Sequence, residues 1–433
     1  MTQNQNRIIT VKTLTLNQDF DCQSLFSLFA EQAWSMWLDS YDGSHLDGQF
    51  DIMVWQPNVT LITEGEKTTV NSLNHGNKLV SFDDPLTVLQ TSQEKFFAHY
   101  TIAKNVDHNL PFLTGALGYF SYDLGRRFEQ LPQQAKRDIE LPEMAVGLYN
   151  KAIIFDHGSQ CYFLICPEDE REKITSFIIS KINNKLFCQP TVSFNLTTPW
   201  QSNINKDQYL EKFNQVQDYL RAGDCYQINL TQRFSSQYKG DEFNAYIALR
   251  HHNKAPFSAF IRFDNQAILS VSPERFVQLH GKKVQSKPIK GTSARGTTAL
   301  QDKKNALILA KSTKDKAENL MIVDLLRNDI SKVCLPGTVK VPYLFTIESF
   351  PAVHHLVSTV EGHLSSAYKA CDLIRAAFPG GSITGAPKIR AMQIIEQLEP
   401  HRRSIYCGSI GYISTCGNMD TSIAIRTLVC EQH

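Results

Sequence analysis

Short runs of β-branched and aromatic residues, separated by turn residues, dominate the first half of the chain. Three of these runs are DIMVWQPNVTLIT (51–63), KAIIFDH (151–157) and QCYFLIC (160–166). Such runs predict antiparallel strands. Apolar residues three or four positions apart predict a short helix at 29–40 and a longer amphipathic helix at 170–186.

The second half begins with a strongly helical pattern. The segment KDQYLEKFNQVQDYLRAG (206–223) repeats apolar residues at helical spacing and ends at Gly223. Glycine favours the left-handed conformation that ends many helices, so Gly223 is the predicted end of this one. Strands are then predicted at 225–234, 257–263, 267–271 and 275–279, and helices at about 300–330, 365–377 and 387–398.

The order of these elements indicates the fold class and the domain organisation. The polar, turn-rich segment 191–207 is the predicted boundary between regions 1–195 and 196–433. A chain of 433 residues is too long for one ordinary core. Runs of strands with separate helices predict an α+β fold, with large antiparallel β-sheets packed face to face and helices on the outside.

Composition excludes several classes of protein. Charged residues make up 20% of the chain and the formal net charge is +1, so no basic footprint indicates nucleic-acid binding. No apolar stretch is long enough to span a bilayer, and the N-terminal region lacks a signal-peptide pattern. The ten cysteines are scattered without CxxC pairs, which is typical of reduced, mostly buried thiols. We therefore expect a cytoplasmic enzyme without a nucleic-acid or membrane partner.

Two short motifs bring a carboxylate and an amine close in sequence. Glu274 lies in SPERF (272–276) and Lys290 lies in PIKGT (288–292), each after a strand-like run. Desolvation lowers the pKa of a lysine and frees its lone pair for nucleophilic attack. A neighbouring glutamate can then protonate a leaving group. Taken alone, each motif is also compatible with an ordinary solvent-exposed turn.

Eight motifs in a fixed order give the chain a specific resemblance. Together they resemble the chorismate-utilising enzymes, which include anthranilate, aminodeoxychorismate, isochorismate and salicylate synthases. The resemblance is close over residues 200–428 and looser over the first 195. Besides SPERF and PIKGT, the motifs are GDCYQINLTQRF (223–234), KDKAENLMIVDLLRND (314–329), FPAVHHLVST (350–359), FPGGSITGAPK (378–388), YCGSIGY (406–412) and MDTSIAIRTL (419–428).

The lysine of PIKGT resembles the aminodeoxychorismate-forming branch, because anthranilate synthases usually carry alanine there. The resemblance implies an enzyme that converts chorismate and ammonia into 4-amino-4-deoxychorismate for 4-aminobenzoate and folate synthesis. It implies Glu274 as the acid for the departing 4-hydroxyl and Lys290 as the covalent nucleophile. Gln227 matches a lysine that activates water in isochorismate and salicylate synthases. Glutamine cannot take up a proton, so ammonia is the favoured nucleophile.

The resemblance also implies a metal site and a substrate site. Glu318 matches a ligand of Mg²⁺, a cofactor that prefers oxygen ligands. Without the resemblance, Glu318 and Asp315 are an ordinary charged helix face opposite the apolar stripe of Leu320, Val323 and Ile330. Each substrate-binding residue is alternatively a structural feature of the core or a loop. The implied substrate contacts are Thr292, His355, Gly385, Tyr406 and Arg426.

A looser resemblance concerns an effector pocket and a partner. No stretch resembles a glutamine-hydrolysing triad domain, so a separate glutamine amidotransferase subunit or free ammonium is the implied ammonia source. Relatives hold tryptophan in a pocket near the N-terminal region. The matching residues are Ser40, Asp47, Gly48, Gln49, Phe50, Pro256, Phe257 and Ser258.

The sequence departs from the family pattern at its end. Relatives continue beyond SIAIRTL (422–428) through a glycine-rich strand and an acidic segment with a second metal-binding glutamate, whereas this sequence stops at His433. We therefore expect weakened magnesium binding and lower stability. Two rival functions stay open. One is anthranilate synthase, against which Lys290 argues, and the other is a non-catalytic relative that only binds a partner or tryptophan.

Overall fold

A computed structural model describes residues 6–16, 20–73, 76–104, 109–183 and 193–431. Its α-helices lie at α1 (Cys22–Ser27), α2 (Pro85–Phe97), α3 (Arg171–Asn183), α4 (Lys206–Ala222), α5 (Glu242–Asn253), α6 (Ala299–Lys311), α7 (Thr313–Ser331), α8 (Ala370–Ala377) and α9 (Lys388–Leu398). Short 3₁₀ helices lie at Tyr122–Arg127, Glu168–Glu170 and Gly381–Ile383. No helix within these described ranges is long and apolar enough to cross a membrane.

The strands of the first half are short and closely spaced. In chain order they are β1 (Arg7–Leu14), β2 (Met36–Asp39), β3 (Phe50–Val54), β4 (Val59–Glu64), β5 (Lys67–Ser72), β6 (Asn77–Ser81), β7 (Tyr100–Ile102), β8 (Gly115–Phe120), β9 (Met144–Tyr149), β10 (Ala152–Asp156) and β11 (Cys161–Pro167).

The strands of the second half include the two longest. In chain order they are β12 (Asn195–Leu196), β13 (Gln201–Ser202), β14 (Gln227–Ile228), β15 (Phe234–Ser235), β16 (Tyr238–Lys239), β17 (Phe257–Arg262), β18 (Gln266–Ser272), β19 (Arg275–His280), β20 (Lys283–Ser286), β21 (Ile289–Ala294), β22 (Lys340–Ser349), β23 (Val353–His363), β24 (Gly385–Ala386), β25 (Ser409–Ser414), β26 (Met419–Ile423) and β27 (Thr427–Glu431).

Two large sheets contain most of these strands. The first has nine strands in the order β27-β18-β17-β2-β3-β10-β11-β1-β7. The second has twelve, in the order β21-β23-β20-β19-β26-β25-β8-β9-β4-β5-β6, with β22 also paired to β23. Neighbouring strands of both sheets are antiparallel except for β1 and β7, which are parallel. This is the predicted α+β architecture with large antiparallel sheets.

Three of the four apolar clusters in the described part of the chain pack against the sheets. Between the sheets, Ile154 and Ile261 of the first pack with Leu117 and Tyr119 of the second. Phe260, next to Ile261, instead faces a second cluster that includes residues of α1 and α5. Successive strand side chains point to opposite faces, so one strand supplies both layers. The third cluster packs residues of α2, α7 and α8 against the outer face of the second sheet.

Both predicted regions contribute strands to both sheets. In the first sheet, β17 of the second half pairs with β2 of the first half. In the second sheet, β25 pairs with β8. The division into regions 1–195 and 196–433 is therefore one of sequence, and a difference of function between them stays a prediction.

Two of the helix predictions differ from the structure. Residues 29–40 were predicted as a helix, but Met36–Asp39 form strand β2, and helix α1 lies earlier in the chain. The predicted helix at 300–330 is two helices, because Ser312 ends α6 in an extended conformation and caps α7. On α7, Val323 and Ile330 are buried as the apolar stripe required, whereas Leu320 is exposed. The helix predicted at 170–186 is described to Asn183, and its remaining residues lie outside the described ranges.

Candidate active site

The SPERF motif turns the chain between β18 and β19. Ser272 ends β18, and its hydroxyl donates to the carbonyl of Ile423 at 2.6 Å and accepts from the backbone N–H of Glu274 at 3.2 Å. These bonds fix the turn and leave the Glu274 side chain buried, with 5% of the residue exposed. The backbone N–H of Ile289, at the start of β21, lies 3.5 Å from Glu274 Oε1. The turn therefore brings SPERF against PIKGT.

Burial shifts the pKa values of Glu274 and Lys290 towards each other. Desolvation raises the pKa of Glu274, and a hydrogen bond from Ser382 and the charge of Lys290 oppose this only in part. Desolvation lowers the pKa of Lys290, opposed in part by the charges of Glu274 and Glu318. A carboxyl that holds its proton more readily than usual, beside an amine that loses its proton more readily than usual, suits acid-assisted nucleophilic attack.

The PIKGT strand bulges at its glycine. The register of β21 against β23 shifts between Ile289 and Thr292, and Gly291 has a φ of +94°. A Cβ at Gly291 would lie 2.9 Å from the Cβ of Asp315 on α7. Only glycine fits both the conformation and the space. The bulge allows α7 to pack closely behind the strand that carries Lys290.

Thr292 and His355 face each other across β21 and β23. The Thr292 hydroxyl lies 2.9 Å from His355 Nδ1. The other ring nitrogen of His355, Nε2, is buried without a hydrogen-bond partner among the described residues. Burial, together with the positive charge of Arg426, lowers the pKa of His355 to about 4. A neutral imidazole with one free nitrogen is thus available to a ligand.

The glycine-rich loop pairs with the strand that carries Gln227. Ile228 lies opposite Gly385, and Gln227 opposite Ala386, in the short β14–β24 ladder. Gly385 has a φ of +151°, and a Cβ there would lie 2.1 Å from the carbonyl oxygen of Gln227. The side-chain oxygen of Gln227 is buried and has no partner among the described residues. A buried amide oxygen without a partner is costly unless a ligand satisfies it.

Arg426 is a solvent-exposed cation without a carboxylate partner among the described residues. It has a φ of +51° and forms no ion pair with any carboxylate in the described part of the chain. Desolvation lowers the pKa of Arg426. An unpaired guanidinium beside His355 suits a bidentate contact with a substrate carboxylate. Tyr406 is 37% exposed, and its neighbour Cys407 lies within electrostatic range of Lys290.

Glu318 supplies the acidic side of the site. Its side chain is 35% exposed. Its Oε1 atom lies 3.8 Å from Nζ of Lys314, one turn earlier on α7, which is a long distance for an ion pair. The carboxylate is thus free to bind a cation, and its negative charge acts on Lys290. Among the described residues, the three ligand groups that are spaced for a metal lie elsewhere, at His45, Asp47 and Glu348. Glu318 fits a site in which Mg²⁺ keeps waters and binds few carboxylates.

The structure brings most of the predicted catalytic and substrate residues together. Lys290 interacts electrostatically with Glu274 and Glu318. Thr292 contacts His355, and the positive charge of Arg426 acts on His355. Sequence reasoning missed Ser382, which hydrogen-bonds to Glu274. Ser382 lies in the motif FPGGSITGAPK. Its hydroxyl was the one sequence feature that could have indicated a hydrogen bond to the catalytic acid.

Seven of the eight residues predicted for the effector pocket line one cavity between the two sheets. The cavity has a volume of about 650 Å³. Gly48, the remaining predicted residue, is buried but does not line it. The second sheet contributes Gln278, Tyr412 and Thr421. Predicted residues along the wall are Ser40, Asp47, Gln49, Phe50, Pro256, Phe257 and Ser258.

Comparison with known proteins gives matches over almost the whole chain. A family model described as chorismate binding enzyme matches residues 35–433. Aminodeoxychorismate synthase component 1 of Salmonella typhimurium is 51% identical over 423 residues, which cover 98% of this chain and 90% of the relative. The protein of the same name from Escherichia coli is 50% identical over 418 residues, or 96% of this chain and 89% of the relative.

Some of the more distant matches carry a different name. Anthranilate synthase component 1 of Aquifex aeolicus is 32% identical over 445 residues, covering 99% of this chain and 88% of the relative. The crystal structure of anthranilate synthase component I from Streptococcus pneumoniae superposes with a TM-score of 0.78 at 29% identity. That match covers 90% of this chain and 86% of the other.

Proposed function

The chain belongs to the family of chorismate binding enzymes, and we propose that it converts chorismate and ammonia into 4-amino-4-deoxychorismate, the precursor of 4-aminobenzoate in folate synthesis. The observation that carries this proposal is the desolvated Lys290 beside the buried acid Glu274. The relatives that share half of this sequence are aminodeoxychorismate synthases by name.

The first chemical step uses both residues. The neutral amine of Lys290 adds to C2 of the chorismate ring, both double bonds of the conjugated ring diene shift by one position, and the bond from C4 to its hydroxyl breaks. Glu274 gives its proton to that hydroxyl, which leaves as water. One difficult displacement is thereby divided into two allylic substitutions. The opposed pKa shifts of the two groups support these roles, because the amine must be neutral and the acid protonated.

The second step is addition of ammonia. Ammonia attacks C4, both ring double bonds shift back, and the bond from C2 to Lys290 breaks, which restores the free neutral lysine. The proton lost by ammonia returns to the carboxylate of Glu274. The unpartnered side-chain oxygen of Gln227 supports ammonia over water, because it accepts a hydrogen bond but cannot remove a proton.

We assign substrate binding to the unpaired groups around Lys290. The Arg426 guanidinium is suited to a carboxylate of chorismate, and Thr292 with His355 to a polar oxygen. Gly385 lets the backbone approach the ligand closely, and Tyr406 lies at the exposed side. The Nε2 atom of His355 has no partner and Arg426 has no ion pair among the described residues, which supports their role in binding a polar ligand.

Magnesium is the proposed cofactor, and Glu318 is the residue that would hold it. When bound, Mg²⁺ neutralises and orients a carboxylate of chorismate. The free carboxylate of Glu318 and its position near Lys290 support this assignment. Without the ion, Glu318 contributes negative charge that partly opposes the desolvation of Lys290.

Two further binding partners belong to this proposal. The names of the relatives specify a component 1, and a glutamine amidotransferase subunit that supplies ammonia is the partner we propose. Tryptophan is the ligand that we propose for the cavity of about 650 Å³ between the sheets. A thermal-shift titration with tryptophan tests the second assignment, since a ligand of the folded state raises the unfolding temperature.

The experiment that tests the reaction is a product analysis. The purified chain is incubated with chorismate, Mg²⁺ and ammonium. The products are separated by chromatography and identified by mass spectrometry. We expect 4-amino-4-deoxychorismate. Anthranilate would replace the proposal with the rival reaction of the more distant relatives, and isochorismate would mean that water is the nucleophile.

A further inference from the structure

A buried lysine precedes the proposed nucleophile by three residues. Lys287 lies in the connection between β20 and β21, and its side chain is 12% exposed. The ammonium Nζ lies 2.6 Å from Asp47 Oδ2 and 2.8 Å from Glu348 Oε1. Both carboxylates are largely shielded from solvent, with 14% and 19% of their side chains exposed. The start of the catalytic strand is thus anchored by two ion pairs.

Asp47 also holds the residue beside the proposed acid. Its Oδ1 atom accepts a hydrogen bond from Arg275 Nη1 at 2.6 Å. Arg275 directly follows Glu274 in the chain, and Asp420 binds the other side of its guanidinium at 2.9 Å. One carboxylate therefore bridges the two short segments that carry Glu274 and Lys290.

The same loop reaches a third part of the active site. His45, two residues before Asp47, stacks on Phe350 with ring centroids 4.7 Å apart. Phe350 in turn contacts the edge of His355, with centroids 5.0 Å apart. Glu348 lies opposite His355 in the β22–β23 register. Residues 40–49, the connection between β2 and β3, thus contact Arg275, Lys287 and Phe350, which lie beside the Glu274 turn, the Lys290 strand and His355.

The group His45, Asp47 and Glu348 has the spacing of a metal site, with ligand atoms within 4.8 Å of one another. The position of Lys287 argues against a metal there. Its ammonium already lies between the two carboxylates. A divalent ion would have to displace that ammonium and leave it buried without a partner, which is unfavourable. The two carboxylates of this cluster are therefore already paired, with the ammonium of Lys287.

We infer that Asp47 is a positioning residue for the reaction: through Arg275 and Lys287 it sets the relative position of the Glu274 turn and the Lys290 strand. The inference rests on the proposed function, which gives those two residues their roles. Asp47 itself touches neither of them. A displacement of about 1 Å of a reacting group costs about 10²-fold in rate. Because Asp47 binds both segments, loss of its carboxylate would allow a displacement of this size.

The test compares two substitutions in the same loop. Asp47→Asn removes the charge that binds Arg275 and Lys287. Asp42→Asn removes an exposed carboxylate whose hydrogen bonds are local, chiefly with Ser44, whose N–H donates to Oδ1 at 3.0 Å, and it serves as the matched control. We expect Asp47→Asn to lower kcat by about 10-fold or more with KM for chorismate changed by less than about threefold. We expect Asp42→Asn to leave both constants unchanged.

A second measurement does not depend on turnover. Modification of Lys290 by an amine-reactive reagent, followed by peptide mass spectrometry, reports the exposure and protonation of that amine. Its rate should change at least about threefold in Asp47→Asn and stay unchanged in Asp42→Asn. If the wild-type chain makes no aminodeoxychorismate but this labelling difference is found, the proposed function fails and the link from Asp47 to Lys290 stands.

A double-mutant cycle completes the test. Lys287→Gln removes the same ion pair from its other side and also serves if Asp47→Asn does not fold. The double variant should lose about as much kcat as either single variant, because the two residues act as one unit. Unchanged kcat and unchanged Lys290 labelling in Asp47→Asn and in Lys287→Gln would overturn the inference. Strictly additive losses would also overturn it.

Discussion

The hydroxyl of Thr292 lies 2.9 Å from Nδ1 of His355, and Nε2 of the same ring is buried without a partner. The hydrogen bond fixes the orientation of the ring. The position of the free Nε2 is therefore set by the pairing of β21 with β23. Burial lowers the pKa of His355 to about 4, which keeps the ring neutral at physiological pH. The pair is therefore a prepared polar contact within the site.

Replacing Thr292 by valine tests that contact. Valine keeps the shape but removes the hydroxyl, which leaves both ring nitrogens of His355 without a described partner. We expect the free energy of unfolding to fall by about 1–3 kcal/mol and KM for chorismate to rise. Denaturant unfolding and steady-state kinetics measure the two effects. Thr292→Ser retains the hydroxyl and should stay close to the wild type; equal losses in both variants would disprove the role of the hydrogen bond.

The opposed pKa shifts of Lys290 and Glu274 predict a bell-shaped pH profile. Lys290 reacts only when neutral, so kcat/KM should rise as pH increases through its burial-lowered pKa. Glu274 donates only while protonated, so kcat/KM should fall as pH increases through its burial-raised pKa. The two inflections belong to the coupled pair rather than to either residue. A profile without an alkaline decrease would argue against Glu274 as the acid.

Gly291 and Gly281 form a matched pair for testing the bulge. Both have positive φ values, +94° and +59°, but a Cβ at Gly281 meets nothing within 4 Å. Alanine at Gly281 should therefore show only the conformational cost, about 1–2 kcal/mol. Alanine at Gly291 adds a clash with Asp315, so it should destabilise more and should also reduce activity. Equal unfolding energies and full activity in both variants would show that the close approach of α7 is unimportant.

We expect Arg426 to contribute to chorismate binding but not to the stability of the folded chain. Its guanidinium is partly desolvated and has no carboxylate partner among the described residues. Arg426→Gln should raise KM for chorismate by about 10-fold or more, because a charged hydrogen bond to the substrate is lost. The unfolding temperature should stay the same or increase, since an unpaired cation is removed. A lower unfolding temperature with an unchanged KM would mean that Arg426 is structural.

The fold class and the catalytic motifs were predictable because they depend on local sequence. β17, β18 and β19 were predicted within one residue of their observed bounds, and Gly223 ends α4 with a φ of +79°. The helix predicted at 29–40 failed for a physical reason. Strand β2 has sheet neighbours on both sides, and Met36 and Trp37 are both fully buried, so its continuous apolar run lacks the alternation of a half-exposed strand.

The network around Asp47 was not predictable from the sequence. Asp47 was assigned to a ligand pocket and does line that cavity, but its carboxylate also binds Arg275 and Lys287, which lie more than two hundred residues away in the chain. A single sequence gives no signal for such pairs, because they depend on how the two sheets and the loop pack. The unpartnered atoms of Gln227 and His355 also became visible only in the folded chain.

The central claim is that Lys290 forms a covalent bond with chorismate, and a trapping experiment tests it directly. The wild-type chain and Lys290→Ala are incubated with chorismate and Mg²⁺ without ammonia, quenched, digested and analysed by mass spectrometry. We predict a wild-type peptide containing Lys290 that is heavier by chorismate less one water, absent from the variant and lost when ammonium is added before quenching. No adduct in the wild type, together with unchanged aminodeoxychorismate formation by Lys290→Ala, would contradict the account.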